Sequence, residues 1–389
     1  MSTDQVAEPT APVEELFAGA QTGVEIEADR DDVLAEGRIA DPWDPDKIRV
    51  STKNFSLRNV LDMIDSDELD LAPDFQRNRV WKSRQKSRLV ESLLLQIPLP
   101  AFYFAEDEDG LLRVVDGLQR LSTVHGFVRR DEFRLADLEY LSTAEGKCFD
   151  ELAPVLQRRL NNAQIVVHVI DPTTPSEVKY DIFKRINTGG EPLNSMEIRH
   201  CMSRSRSRDF LKRCTASEAF HDATGGVLRN HIRMHDRESA LRFLAFRMLE
   251  DIREYEKFGS LERLLDRTVA DIDQPTRVSD QQLEVLFTEF ETAMSNARLL
   301  FGDHAFRKWP TWTERRSPIN RALLESWGVA LVDVDQEYIL HNGPDVVRRA
   351  REAMTEDGPY VEAISASTGD PGRVKTRFTT ASRLLGVDE

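Results

Sequence analysis

The chain has 389 residues, 40% hydrophobic and 31% charged, a composition that fits a globular protein and excludes fibres and multi-span membrane proteins. Its 52 Lys and Arg against 68 Asp and Glu give a net charge of −16, so unspecific attraction to nucleic acid through total charge is disfavoured and only local basic clusters remain as candidates. The longest uncharged stretch, Ser92–Ala105, is 14 residues long and broken by Pro98 and Pro100, the N-terminus carries no basic, apolar signal pattern, and Cys148, Cys201 and Cys214 form no paired spacing; a cytoplasmic location with no membrane, disulfide framework or zinc ribbon is expected.

Residues 1–50 hold 13 acids against 4 bases and few aromatics, so residues 1–45 are expected to be an acidic disordered tail. Apolar positions 57, 60, 61 and 64 at helical spacing predict a helix over 56–69, with Ser56 as its cap. The stretch PDFQRNRVW (73–81) reads as a loop, and a second helix over 83–96 must stop before Pro98. Two strands, 101–105 and 111–115, flank the hairpin signal Asp109-Gly110, and the second runs directly into Asp116-Gly117 and a helix. A strand over 164–170 precedes a helix beginning at Thr174-Pro175-Ser176-Glu177 and ending near Asn187, where Thr188-Gly189-Gly190 turns the chain before Asn194 caps another helix. Beyond about residue 205 strand signals vanish and amphipathic helices follow at 237–258, 279–301, 317–333 and 343–355. The fold class is therefore α+β, with domains 1–45 (tail), 46–203 (mixed α/β, the site-bearing domain) and 204–389 (all-α).

Three constellations could carry chemistry. In VVDGLQRLSTV (114–124) a strand ends in Asp-Gly where a helix begins, and the first turn of a helix presents free N–H groups suited to phosphate. A helical wheel puts Leu118, Leu121, Val124 and Val128 on one face and Gln119, Arg120 and Thr123 on the other; Arg120 could clamp phosphate, Gln119 orient water, and Asp116 hold Mg²⁺ or activate water. The plainer alternative is a helix cap with a solvated arginine. In 73–100, Gln76 and Arg77 beside Phe75 could bind phosphates, while Lys82, Arg84, Lys86 and Arg88 read as a solvated helix face around an anchoring Trp81. With Arg79, Arg204 and Arg206, Lys82 and Arg84 are the candidates for nucleic-acid contact. In IFKRINTGGEPLNSMEIRH (182–200), Lys184, Arg185, Asn187 and Gly190 could meet a ligand where glycine admits close approach, or the segment is a helix junction with an Asn194–Glu197 capping box. Walker A, GxGxxG, HExxH and GxSxG patterns are absent, and His231 with His235 reads as a surface pair.

PDFQRNRVW with LVESLLLQIPLP, then VVDGLQRLSTV, then FKRINTGGEPLNSMEIRH, in this order, resemble the N-terminal domain family of GmrSD-type restriction endonucleases, and SPINRALLESW (317–327) and SASTGDPGRVKTRF (365–378) resemble the helical tail of short, stand-alone members. The family is similar to the ParB/sulfiredoxin superfamily, so the resemblance implies a small mixed sheet with flanking helices that binds a nucleoside triphosphate. It assigns nucleotide binding to Asp116, Gly117, Gln119 and Arg120, to Gln76 and Arg77, and to Asn187 with Gly190; Ser122, Thr123, Lys184 and Arg185 are expected nucleotide contacts beside them, and the expected catalytic set is Asp116, Gln119 and Arg120, with Mg²⁺ as cofactor. Leu118 departs from the signature, which carries glutamine there, so that glutamine's contact is lost. No HNH-type histidine motif is found; His304 and His341 stand alone. The expectation is an NTP-hydrolysing ParB-like protein in defence against foreign DNA, able to oligomerise and served by a separate nuclease or other defence protein. A non-catalytic nucleic-acid or protein-binding scaffold and a ParB-like nuclease are the alternatives.

Overall fold

The computed structural model describes residues 12–17, 19–27, 48–71, 81–107, 109–174, 176–186, 193–366 and 368–386. They divide into two compact units: residues 48–202, and a discontinuous unit joining the N-terminal segment to residues from Ser203 onward.

In the first unit, strands β3 (Val50–Ser56), β4 (Leu69–Asp70), β5 (Phe102–Glu106), β6 (Leu112–Asp116) and β7 (Gln164–Ile170) form one mixed sheet in the order β3-β7-β5-β6-β4. The β5–β6 turn is the expected hairpin: Gly110 takes a positive φ of 81° and its N–H donates to the Asp107 carbonyl at 2.9 Å. Alternation along the strands builds two cores. Phe102, Phe104, Val114, Ile165, Val167 and Val169 face α1 (Leu57–Asp65), α2 (Ser83–Leu94) and α3 (Leu118–Arg129), while Ala105, Val115 and Ile170 meet Phe183, Ile198 and Cys201 on the opposite face. Those last three belong to α5 (Ser176–Ile186) and α6 (Ser195–Met202), which follow α4 (Pro154–Asn161) and β7. Buried Arg113 fastens α6 to the sheet, donating to the Met202 carbonyl at 2.7 Å and to Asp107 at 2.5 Å. Trp81 packs against the larger core, as its anchoring role requires.

The second unit is helical: α7 (Ser205–Ala216), α8 (Glu218–Thr224), α9 (His235–Arg247), α10 (Leu261–Ile272), α11 (Asp280–Phe301), α12 (Arg321–Leu331), α13 (Gln336–Glu356), α14 (Gly358–Ala363) and α15 (Pro371–Leu385). The helix expected over 237–258 stops at Arg247 and resumes as a short 3₁₀ turn, Ile252–Lys257. The expectation of a disordered tail over 1–45 fails for the described residues 12–17 and 19–27. Strands β1 (Glu14–Phe17) and β2 (Ala20–Glu25) pair as an antiparallel hairpin, and β2 bridges Ile319, with the Glu25 N–H on the Ile319 carbonyl at 2.9 Å. The acids that argued for disorder are the reason it folds. Glu25 accepts from Lys308 at 2.6 Å and Asn320 at 2.9 Å, Glu27 takes both terminal nitrogens of Arg242 at 2.8 Å each, and Glu15 pairs with His235. A composition argument treats these charges as solvated; Lys308, Arg242 and His235, all over 200 residues away, neutralise them. The expected surface pair of histidines is likewise covered: His231 bonds the Thr22 carbonyl at 3.1 Å, and His235 is buried between Glu15 and Glu238.

Candidate functional site at the β6–α3 junction

Strand β6 delivers Asp116 to the end of the sheet, and the chain then turns through Gly117 into α3. Gly117 sits at φ +95°, and a Cβ there would lie 2.2 Å from Cδ1 of buried Phe102. Glycine is thus required twice, by conformation and by space, and the turn it permits sets the first turn of α3, whose N-cap makes no side-chain capping bond, directly behind Asp116. Arg120, one turn on, folds back over this junction. Its Nη2 donates to Asp116 Oδ2 at 2.7 Å and to the Ala101 carbonyl at 3.2 Å, its Nη1 donates to the Pro100 carbonyl, and the guanidinium lies 4.2 Å above the Phe102 ring. Only 13% of the Arg120 side chain is exposed, against 33% for Asp116. Burial lowers the Arg120 pKa, partly offset by Asp116. An arginine with a carboxylate and two carbonyls for partners is a cation held ready beside a helix N-terminus. A phosphate oxygen could replace those carbonyls.

The strand register widens the site. Thr52 is paired with His168, His168 with Tyr103 and Tyr103 with Asp116, a polar row across β3, β7, β5 and β6. The Tyr103 and His168 rings are 4.9 Å apart, and His168 Nδ1 lies 3.0 Å from Thr52 Oγ1. Sequence reasoning missed these residues; the polar positions within AFYFA and QIVVHVI were the available signal, but neighbouring them needs the strand order.

Of the other expected residues, Gln119 is half-buried and Ser122 exposed on α3. Thr123 is a correction: it was placed on an open face but is 5% exposed, because α3 is buried continuously from Thr123 to Phe127 between the sheet and its neighbouring segments. Among those neighbours α1 reaches it through Asp65, 2.8 Å from His125 Nε2. Arg185 is exposed on α5, Lys184 lies on the same helix, and the Asn194–Glu197 capping box forms with both bonds at 2.8 Å. Gln76, Arg77, Arg79, Asn187 and Gly190 lie outside the described residues. Lys82, at the N-cap of α2, and Arg84, on the helix, are exposed. Arg206 is occupied within the chain, donating to the Ile272 carbonyl and to Asp280 at 2.6 Å, while the Arg204 N–H holds Asp273 at 2.9 Å.

Among the described residues no group of three or more His, Cys, Asp or Glu could hold a metal ion. Asp116 alone fits Mg²⁺ only in company with phosphate oxygens, the way Mg²⁺ commonly binds. Cys214 offers no nucleophile, since burial pushes its thiol up to about 12. No described helix is long and apolar enough to cross a membrane.

Comparison with known families finds that residues 57–202 match the model of the GmrSD restriction endonuclease N-terminal domain. No curated protein matches the chain.

Proposed function

Because residues 57–202 are a GmrSD restriction endonuclease N-terminal domain, with a DNA-linked, restriction-type role, we propose that this domain binds a nucleoside triphosphate at the β6–α3 junction and hydrolyses it with Mg²⁺. The observation that supports this best is the Gly117 turn, which brings an acid, an arginine and a helix N-terminus without a side-chain cap together at one end of the sheet.

In this reading Arg120 exchanges the Pro100 and Ala101 carbonyls for phosphate oxygens and loosens its hold on Asp116. Freed, the Asp116 carboxylate can carry water ligands of Mg²⁺ or accept a proton from the attacking water, which Gln119 orients. That water bonds to the terminal phosphorus, the bond to the bridging oxygen breaks, and nucleoside diphosphate and phosphate leave. Bound Mg²⁺ would supply charge neutralisation on the phosphates. Lys184 and Arg185, and beyond the described residues Gln76, Arg77, Asn187 and Gly190, are the proposed further nucleotide contacts. In this reading the domain serves defence against foreign DNA with a separate nuclease as partner.

One observation favours a second reading. Arg120 is already satisfied by three oxygens, as a purely structural staple between β5 and β6 would be, and the domain would then be a non-catalytic scaffold. Phosphate release from ATP, GTP, CTP and UTP with Mg²⁺, with and without DNA, separates the two. The nucleotidase reading expects turnover that vanishes in Asp116→Ala and triphosphate affinity that falls in Arg120→Ala. Absence of both binding and turnover with every nucleotide would leave the scaffold.

A further inference from the structure

Arg307 and Ile319 face each other across an isolated antiparallel bridge in the helical unit, so residues 308–318 form a loop whose ends meet, the geometry of an Ω-loop. Its interior is tightly bonded. Buried Arg307 donates to the Ser317 carbonyl and to the Thr224 carbonyl at 2.9 Å, and Ser317 Oγ donates to the Lys308 carbonyl at 2.8 Å. Trp309 stacks on His304 at 3.9 Å with Arg351 of α13 4.3 Å over its ring. Glu314, the one acid in the loop, is held by Arg351 at 2.6 Å and by Trp309 Nε1 at 3.0 Å, and Lys308 by Glu25. With its polar groups engaged inside, the loop does not need to order when it meets a partner.

What the loop turns outward is of another character. Trp312 is 53% exposed, and Arg315 and Arg316 are exposed beside it. Among the described residues neither guanidinium has a hydrogen bond or ion pair; only the Arg315 backbone is engaged, its N–H on Thr313 Oγ1. Arg316 lies against the glycine that closes α8, its Nη1 3.3 Å from where a Cβ of Gly225 would stand. A rigid loop thus displays an indole and two guanidiniums that no hydrogen bond or ion pair engages, Arg316 lying within the field of Asp303, on a chain of net charge −16. An apolar protein partner would bury those charges unpaired, at a desolvation cost; a chain of phosphates and bases satisfies both features.

We propose that the 308–318 loop is a contact surface for single-stranded nucleic acid, with Trp312 stacking on a base and Arg315 and Arg316 pairing with flanking phosphates. The surface lies outside residues 57–202 and is independent of triphosphate binding there.

The test is fluorescence anisotropy of a labelled mixed-sequence single strand, and of its duplex, titrated with the full-length protein at several salt concentrations. Trp312→Ala should weaken single-strand binding roughly 5- to 160-fold, the range for loss of one stacked base, with most of the binding retained in Trp312→Phe. Arg315→Ala with Arg316→Ala should weaken it and reduce the slope of log affinity against log salt by about 1.4, or ~0.7 per phosphate contact. Arg383→Ala, which removes an exposed arginine paired with Asp357, should change neither. All variants alter exposed side chains and should keep the wild-type melting temperature. The proposal is overturned if the wild type binds no single strand, if the loop variants bind as the wild type does, if only duplex binding suffers, or if Arg383→Ala is equally harmful.

Discussion

Replacing Glu27 by glutamine tests whether the N-terminal hairpin belongs to the helical unit. Glu27 sits beside Arg242 and Arg321 in a buried charge set that also holds Arg377, Glu238 and Glu325: Arg321 is 2.8 Å from Glu238, Arg377 is bonded to Glu325, and Arg242 bridges Glu27 and Glu238 at 2.8 Å to each. Three arginines thus balance three carboxylates, and the His235–Glu15 pair adjoins them at Glu238. Glutamine keeps the shape and one acceptor oxygen but leaves a net buried positive charge. Removing one partner of a buried pair costs about 3–5 kcal/mol, and the retained acceptor places Glu27→Gln near about 2–3 kcal/mol, with Glu27→Ala above it. Burial pushes the Glu27 carboxyl up, but Arg242 and Arg321 outweigh it and hold the pKa below its ordinary value. Its contribution is therefore present above the unfolded pKa of about 4.3 and lost as pH falls through the lower folded value, so the variant should also flatten the acid limb of the stability curve. Urea unfolding followed by tryptophan emission, with Trp81 of the other unit replaced by Phe in every protein compared, reads this unit through Trp309, Trp312 and Trp327. A Glu27→Gln midpoint corresponding to less than about 0.5 kcal/mol of destabilisation would refute the reasoning, because surface pairs are worth no more.

Gly117→Ala combines a positive φ with a 2.2 Å clash against Phe102; a loss of more than about 3 kcal/mol in the 48–202 unit is expected by urea melts, and an unchanged midpoint would mean the turn relaxes freely. Glu91 is buried and its carboxylate accepts the N–H groups of Glu139, Tyr140 and Leu141 at 2.7–3.1 Å. Because Glu139 and Tyr140 are exposed, water can take over part of this, and Glu91→Ala should cost only about 2 kcal/mol, with faster amide exchange confined to 139–141. For His235 burial lowers the pKa, but bonds to Glu15 and Glu238 outweigh it and raise it. Its stabilisation is complete below pH ~6.5 and fades as pH rises through the higher folded pKa, so the melting temperature should fall over that window in the wild type and not in His235→Gln.

Local signals in the chain foretold local structure well. Alternation on either side of Asp109-Gly110 announced β5 and β6 to within a residue, QIVVHVI is β7 to the residue, and Asn194 with Glu197 forms its capping box. The order of the strands was not legible, because β3 pairs with β7 across more than a hundred residues and β4 adds a parallel edge only two residues long. The Thr52, His168, Tyr103 row depends on that order and so stayed hidden, whereas Asp116, Gly117 and Arg120 are neighbours in sequence and did not. Thr123 shows the limit of a helical wheel, which gives directions but not which of them are covered.

The discontinuous unit has a consequence for synthesis. Glu27 leaves the ribosome long before Arg242 and Arg321, and Arg377, which closes the buried charge set on Glu325, comes last. At roughly 5–20 residues per second the hairpin waits on the order of 15–60 s for Arg321, the last of its charged partners, while the 48–202 unit has every residue it needs much earlier. The emerging chain therefore carries a finished domain between two halves of an unfinished one, and an arrest in the last helix would strand acids and arginines alike without partners.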